Sequence, residues 1–313
     1  MTDTPGPKPT FFLRPGYPLL NEIKRILLEQ VDYALYQLTT PGLDEDTAVH
    51  EARKAFKRIR AMLRLVRDEI SREDFTFLNG LFRDAGRRLS DIRTSAVLDE
   101  TLEILHQRYP EQLSSEAVAD VLARLRAHHE SMREEVVRGQ ALFHQVAEML
   151  QQGKKRIEEL PLAGNHFPKT GLQRVYARGR RGLENSRREP TVANFHEWRK
   201  RVKYLRYQVR VLSPTWPEVL GCFTQELVAL SEWLGIDHDL AELHHTLVEH
   251  PELGLQGSEQ GKLLTLIEAY RDELEGQSFR IGTRLYAEKP GAFVRRMKAY
   301  WHAWAEETQK ELK

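Results

Sequence analysis

Two stretches of this chain, 146 positions apart, carry the same charges in the same order, and that duplication constrains the fold more than any other feature. The first reads Val49-His-Glu-Ala-Arg-Lys-Ala-Phe-Lys-Arg-Ile-Arg-Ala-Met-Leu-Arg64. The second reads Phe195-His-Glu-Trp-Arg-Lys-Arg-Val-Lys-Tyr-Leu-Arg-Tyr-Gln-Val-Arg210. His, Glu, Arg, Lys, Lys, Arg and Arg fall at matching places in both. Seven basic residues and no acidic one lie between Arg53 and Arg67; six lie between Arg199 and Arg210, again with no acid. The fold must therefore house the same basic element twice.

The spacing says what that element is. His50, Arg53, Lys57, Arg60 and Arg64 step by 3, 4, 3 and 4, so on a helix advancing ~100° per residue they share one face. The row is ~21 Å long at ~1.5 Å per residue. Val49, Ala52, Phe56, Ile59, Leu63 and Val66 keep the same period and form an apolar stripe directly beside it. The second copy repeats the row with His196, Arg199, Lys203, Arg206 and Arg210. Like charges three or four apart repel by a few tenths of a kcal/mol per pair. A single basic run is most often a solvated face. A duplicated run with a duplicated leading histidine points instead to an anion held between two rows.

The pattern His-x-x-Arg-Lys-x-x-Lys-x-x-Arg, occurring twice in a helical chain, resembles the CHAD family, the conserved-histidine α-helical domain. A second motif of that family, Leu-Gly-x-x-Arg-Asp-x-x-x-Leu, is present twice in degraded form. One copy is Leu89-Ser-Asp-Ile-Arg93-Thr94 and the other Leu234-Gly-Ile-Asp-His238-Asp239-Leu. The first has Thr94 where the motif has Asp, and the second has His238 where it has Arg. The resemblance runs from about Leu19 to Trp304. It implies two four-helix bundles related by a pseudo-twofold axis, with basic residues lining a groove or pore between them. It also implies binding of inorganic polyphosphate and a location at polyphosphate granules.

Bulk composition sets the remaining bounds. At 313 residues the chain can hold one large domain or two of ordinary size. It is 41% hydrophobic and 30% charged, with a net charge of only +1, so segregation of the basic residues and not their total would create a local field. Acidic residues gather elsewhere, around Glu130 to Glu135 and Glu242 to Glu259. Cys222 is the sole cysteine, which excludes a disulfide framework and suits a reducing compartment. No apolar run approaches the ~18 residues of a spanning helix, and the expected location is cytoplasmic.

The expected organisation is all-α, with no alternating strand pattern. Residues 1–18, with five prolines, read as a flexible or loosely docked tail. Residues 19–160 and 161–313 read as two repeats of four helices each, divided at Pro161 to Pro168. Asp44, Ser71 and Thr191 stand where helix N-caps are needed, and Ser115 opens a very long helix running to about Lys155.

The candidate ligand set is His50, Arg53, Lys54, Lys57, Arg60 and Arg64, with His196, Arg199, Lys200, Lys203, Arg206 and Arg210. Arg offers phosphate a bidentate fork, Lys a point charge, and the two histidines a pH-sensitive donor. Arg174, Arg178 and Arg181 add a third basic row at helical spacing. Glu51 and Glu197 are expected to pair locally. Tyr207 lies on the basic face, whereas the tryptophans read as core anchors. Among the His residues no metal framework is recognisable, and no phosphate loop, nucleophile elbow or carboxylate dyad stands out. The expectation is therefore a non-catalytic polyphosphate-binding module without cofactor or membrane contact. RNA or DNA binding by the same surface is the first alternative, and a metal-dependent phosphohydrolase the second.

Overall fold

The computed structural model describes residues 9–89, 94–134 and 139–311. Every regular element among them is helical: α1 (Leu19–Thr39), α2 (Glu45–Leu65), α3 (Arg72–Arg88), α4 (Thr94–Arg108), α5 (Ser115–Glu134), α6 (Gly139–Glu158), α7 (Lys169–Arg188), α8 (Val192–Leu212), α9 (Pro217–Glu249), α10 (Ser258–Leu285) and α11 (Pro290–Glu311). The all-α expectation holds, but the described helices number six before residue 160 and five after it, rather than four and four. Of the long helix expected from Ser115, the described parts are α5 and α6, which serve different cores, and residues 135–138 between them lie outside the described residues.

The two repeated stretches are α2 and α8, and the local reasons are those of the sequence. Asp44 accepts from the Thr47 amide at 2.9 Å and Thr191 accepts from the Asn194 amide at 3.3 Å, each opening its helix. Ser71 does the same for α3. Val49, Ala52, Phe56, Ile59, Leu63 and Val66, the predicted stripe, are all buried. At ~1.5–3 kcal/mol for each large apolar side chain removed from water, that stripe is a main reason why α2 sits centrally. Ala48, Ala55 and Ala61 are buried too, so the apolar side is wider than one stripe, and their small side chains let neighbouring helices come close.

Helix α2 packs on α1, α3, α7 and α8, while α8 packs on α2, α7 and α9. No residue from Ala48 to Arg67 is exposed, and none from Trp198 to Val209. The Gln208 side chain of α8 donates to the Ala61 carbonyl of α2 at 3.0 Å in the core where the two helices meet. Neither repeated helix is a solvated face.

The cores do not divide at residue 160. One joins α1, α2, α3 and α6 to α7, α8, α11 and the first half of α9. The other joins α4 and α5 to the second half of α9 and to α10. The Pro161 to Pro168 connection buries Leu162 and Phe167, and is stitched to the start of α1 by Gly164, whose carbonyl accepts from the Leu20 amide at 3.1 Å. The tail expectation also needs correcting for residues 10–14. Phe11 and Leu13 are buried, and Leu13 donates to the Val211 carbonyl at 3.1 Å. Apolar burial outweighs the prolines there. Residues 1–8 lie outside the described residues, as does Arg93.

Candidate functional site

Helices α2 and α8 bring part of the two rows together. Lys203 of α8 lies in the field of Arg199 and Arg206 on its own helix and of Lys57 on α2, with Asp239 of α9 opposing them. Part of the Lys203 residue is exposed, yet its ammonium is closely surrounded by protein. Burial first, and then those cations, hold its pKa well below the ordinary lysine value. Arg199 extends over α9 at Gly235, where an added Cβ would stand 3.5 Å from its guanidinium, and meets Asp239 at 3.7 Å. The residues Leu234-Gly-Ile-Asp-His238-Asp239 thus form part of a helix packed behind the α8 row.

The far end of the α2 row enters a second assembly. Arg60 and Arg64 donate to Asn79 of α3 at 3.3 and 2.6 Å, and Arg64 lies 4.3 Å over the Tyr204 ring. Arg64, Arg67, Arg174, Arg178 and Arg201 line one pocket with Phe75, Val175 and Tyr204. Burial and then the nearby Arg60, Arg201 and Arg178 push the Arg64 pKa down to about 10. Arg178 is lowered by burial and by Arg201, Arg67, Arg174 and Arg181.

Not every expected residue joins these groups. Arg53 donates to the Gly86 carbonyl at 3.0 Å, fastening α2 to α3. Lys54 pairs with Glu51 at 2.9 Å and Lys200 pairs with Glu197, so these two lysines and both glutamates are spent locally. His50 stands 4.0 Å from Glu51. Arg210 is exposed and lies in the field of Arg58, and Arg181 is exposed, its charge acting on Arg178. Tyr207 is a core residue, edge-on to Phe11 and accepting from Arg206 at 3.3 Å. Trp198 and Trp301 anchor the core as expected, but Trp216 is exposed, with its ring T-shaped to Tyr300.

Sequence reasoning missed Arg67, Arg201, Tyr204 and Phe75. Arg67 lies three residues beyond Arg64 and simply continues the step. Arg201 and Tyr204 lie on another face of α8 and have Ala55 and Arg58 as their counterparts in the first copy, so the repeat gave no signal for them.

His196 packs against His238 with ring centroids 4.5 Å apart and the ring planes tilted by 53°. Nδ1 of each is buried with no hydrogen-bond partner among the described residues. Burial, then Lys200 and Arg199, depress His196; burial, then Arg199, His196 and Lys203, push His238 down to about 3. Both shifts favour the neutral imidazole in the free protein. A histidine depressed in the folded state stabilises fully above its unfolded pKa near 6.5 and loses that contribution as pH falls towards about 3. Denaturant midpoints are expected to fall from pH 7 to pH 5, and less so in His238→Gln. Glu275, raised to about 7 mainly by burial and then by Asp237, acts in the opposite sense, losing stability as pH rises from 4.5. The comparison with His238→Gln isolates the histidine part, and an unchanged pH slope in that variant would exclude it.

Among the described residues no group of three or more His, Cys, Asp or Glu gathers as a metal site, and no helix is long and apolar enough to cross a membrane.

A helical chain whose two basic helices pack together, backed by Gly235 and Asp239, defines the class, and comparison agrees. The CHAD domain model matches residues 25–248, and the chain belongs to the CHAD domain family. The solved structure of PptA from Streptomyces chartreusis is similar over 87% of this chain and 100% of that one, with a TM-score of 0.58 at 15% identity. The crystal structure of the CHAD domain from the plant Ricinus communis is similar over 95% of this chain and 96% of that one, with a TM-score of 0.51 at 18% identity. No curated protein sequence matches the chain.

Proposed function

We propose that the protein binds inorganic polyphosphate, without transforming it, along the surface where α2 and α8 meet. The observation that carries this reading is Lys203. A lysine whose pKa is depressed by burial and by Arg199, Lys57 and Arg206, against the opposing Asp239, carries a net cost in the free protein, and a polyanion would relieve it. Lys57, Arg199, Lys203 and Arg206 are the ligand groups of this reading, and membership of the CHAD family supports it. The aromatic rings beside them are already covered. Arg64 lies over Tyr204 and Arg206 over Tyr207, so base stacking, on which sequence-tolerant RNA binding depends, has no open face at these two rings.

The test is calorimetric titration with long-chain polyphosphate at two salt concentrations. Wild type is expected to bind with a steep salt dependence. Lys57→Gln/Lys203→Gln/Arg206→Gln, with helical content preserved, should lose at least a hundredfold in affinity and flatten the log–log salt slope by roughly 2. Single-stranded RNA displacing polyphosphate at matched salt would overturn the choice of ligand, and unchanged affinity in the variant would overturn the site.

A further inference from the structure

The pocket at the end of the α2 row differs in kind from the open surface beside Lys203. It is walled by four elements: the C-terminal turn of α2, α3 through Phe75, α7 and α8. At one side α7 rests directly on α2. A Cβ on Gly171 would stand 1.9 Å from the Leu65 carbonyl oxygen and 2.8 Å from that of Arg64, so nothing passes between the two helices there. Arg174 and Arg178 follow Gly171 along α7, and the pocket lies in the wedge they line. A chain running along the α2 row towards Arg64 meets a wall.

The chemistry inside is concentrated. Arg174 pairs with Asp68 at 3.0 Å and Arg201 with Glu197 at 3.1 Å, and Nη1 of Arg174 is buried with no partner among the described residues. Arg64, Arg67 and Arg178 make no ion pair among the described residues. Two of these guanidiniums lie over rings, Arg64 over Tyr204 at 4.3 Å and Arg67 over Phe75 at 4.6 Å, and Nη1 of Arg64 is further fixed by Asn79 and the Arg60 carbonyl. Their forks are oriented before a ligand arrives, and Val175 and the rings give the pocket an apolar floor that strengthens any charge contact.

In a linear polyphosphate each internal unit carries about one negative charge, while each terminal unit carries roughly 1.5 to 2 near neutral pH and has three free oxygens. A walled pocket with three guanidiniums that make no ion pair among the described residues suits the second kind. We infer that this pocket captures the terminal phosphate of the chain, so that the protein binds polyphosphate by its end, with the following units laid along Arg60 and Lys57 towards Lys203. The inference rests on the polyphosphate reading above.

The test compares long-chain polyphosphate with free ends against the same chains whose two terminal phosphates are converted to methylamine phosphoramidates. Blocking leaves the total charge nearly unchanged but removes the terminal second charge. Wild type is expected to bind the free-ended chains about tenfold tighter, with binding stoichiometry following chain ends and not phosphate mass. Arg178→Gln, and independently Arg67→Gln, should bring the ratio between the two ligands close to one. Lys57→Gln should weaken both ligands and keep the ratio. Equal affinity of wild type for free and blocked chains overturns end capture while leaving polyphosphate binding intact. Failure of wild type to bind either ligand overturns the polyphosphate reading itself.

Discussion

Lys203→Met is expected to make the unliganded protein more stable and, at the same time, a poorer binder of polyanions. The Lys203 ammonium is surrounded by protein and lies in the field of Arg199, Lys57 and Arg206, while the opposing Asp239 is already engaged by Arg199 at 3.7 Å. Methionine keeps an unbranched stem of similar length and removes the charge. Replacing buried ionic groups with apolar residues of similar volume often gains roughly 1–3 kcal/mol, and the like charges here place the expectation in the upper part of that range. The gain is read as a higher urea midpoint at an unchanged denaturant slope. A lysine depressed in the folded state contributes stability above its unfolded pKa of 10.5 and loses it as pH falls through the folded value. The difference between variant and wild type should therefore widen from pH 10 towards neutrality. Polyphosphate affinity should fall about tenfold, the loss of one charge-assisted contact. A destabilised Lys203→Met protein would mean that the ammonium holds the fold together, and the argument that a polyanion relieves strain at this position would fail.

The elements that position this surface were legible because periodicity and caps agree. The apolar stripe from Val49 to Val66 is buried as its spacing demands, and Asp44, Ser71 and Thr191 cap the helices they were expected to open. Local pairing of Glu51 and Glu197 also follows from sequence, since a lysine three residues on lies within reach on a helix. What one-dimensional spacing could not show is how two amphipathic helices cross. It treated His50 to Arg64 and His196 to Arg210 as whole rows facing each other. In the structure Lys57 acts on Lys203, whereas Arg64 lies in the field of Arg201 and Arg178, and Arg210 in that of Arg58. Crossing helices share only a limited length of contact, so successive members of a row meet different partners. The histidines misled for a related reason. A histidine heading a basic row reads as a cationic donor, and only the three-dimensional packing brings burial, the tilted His238 ring and the surrounding cations together to favour the neutral form of His196. The prolines of the first 18 residues similarly masked Phe11 and Leu13, two apolar residues too few to show a period.

Gly171→Ala is expected to be the most damaging glycine-to-alanine change among the described helical glycines. Its Cβ would overlap the Leu65 carbonyl oxygen at 1.9 Å and its carbon at 2.6 Å. Both are backbone atoms at the end of α2, so no side-chain rotation relieves the clash and α7 must move as a unit. Overpacking of a close-packed core costs about 1–3 kcal/mol when side chains can yield, and a backbone contact belongs at or above the upper limit. For a chain of this size that corresponds to a fall in Tm of roughly 6–10 °C. Gly221 and Gly276 provide the contrast. Each lies inside a helix with nothing within 4 Å of an added Cβ, so Gly221→Ala and Gly276→Ala should be neutral or gain up to about 1 kcal/mol from helix propensity alone. Because α7 carries Arg174 and Arg178, the same methyl group should also open the wedge that these arginines line with Arg64. Gly171→Ala protein that remains folded is therefore expected to lose its preference for free-ended over blocked chains while still binding both. Equal thermal shifts for Gly171→Ala and Gly276→Ala would mean that α7 does not rest on α2, and the closed end of the pocket would go with it.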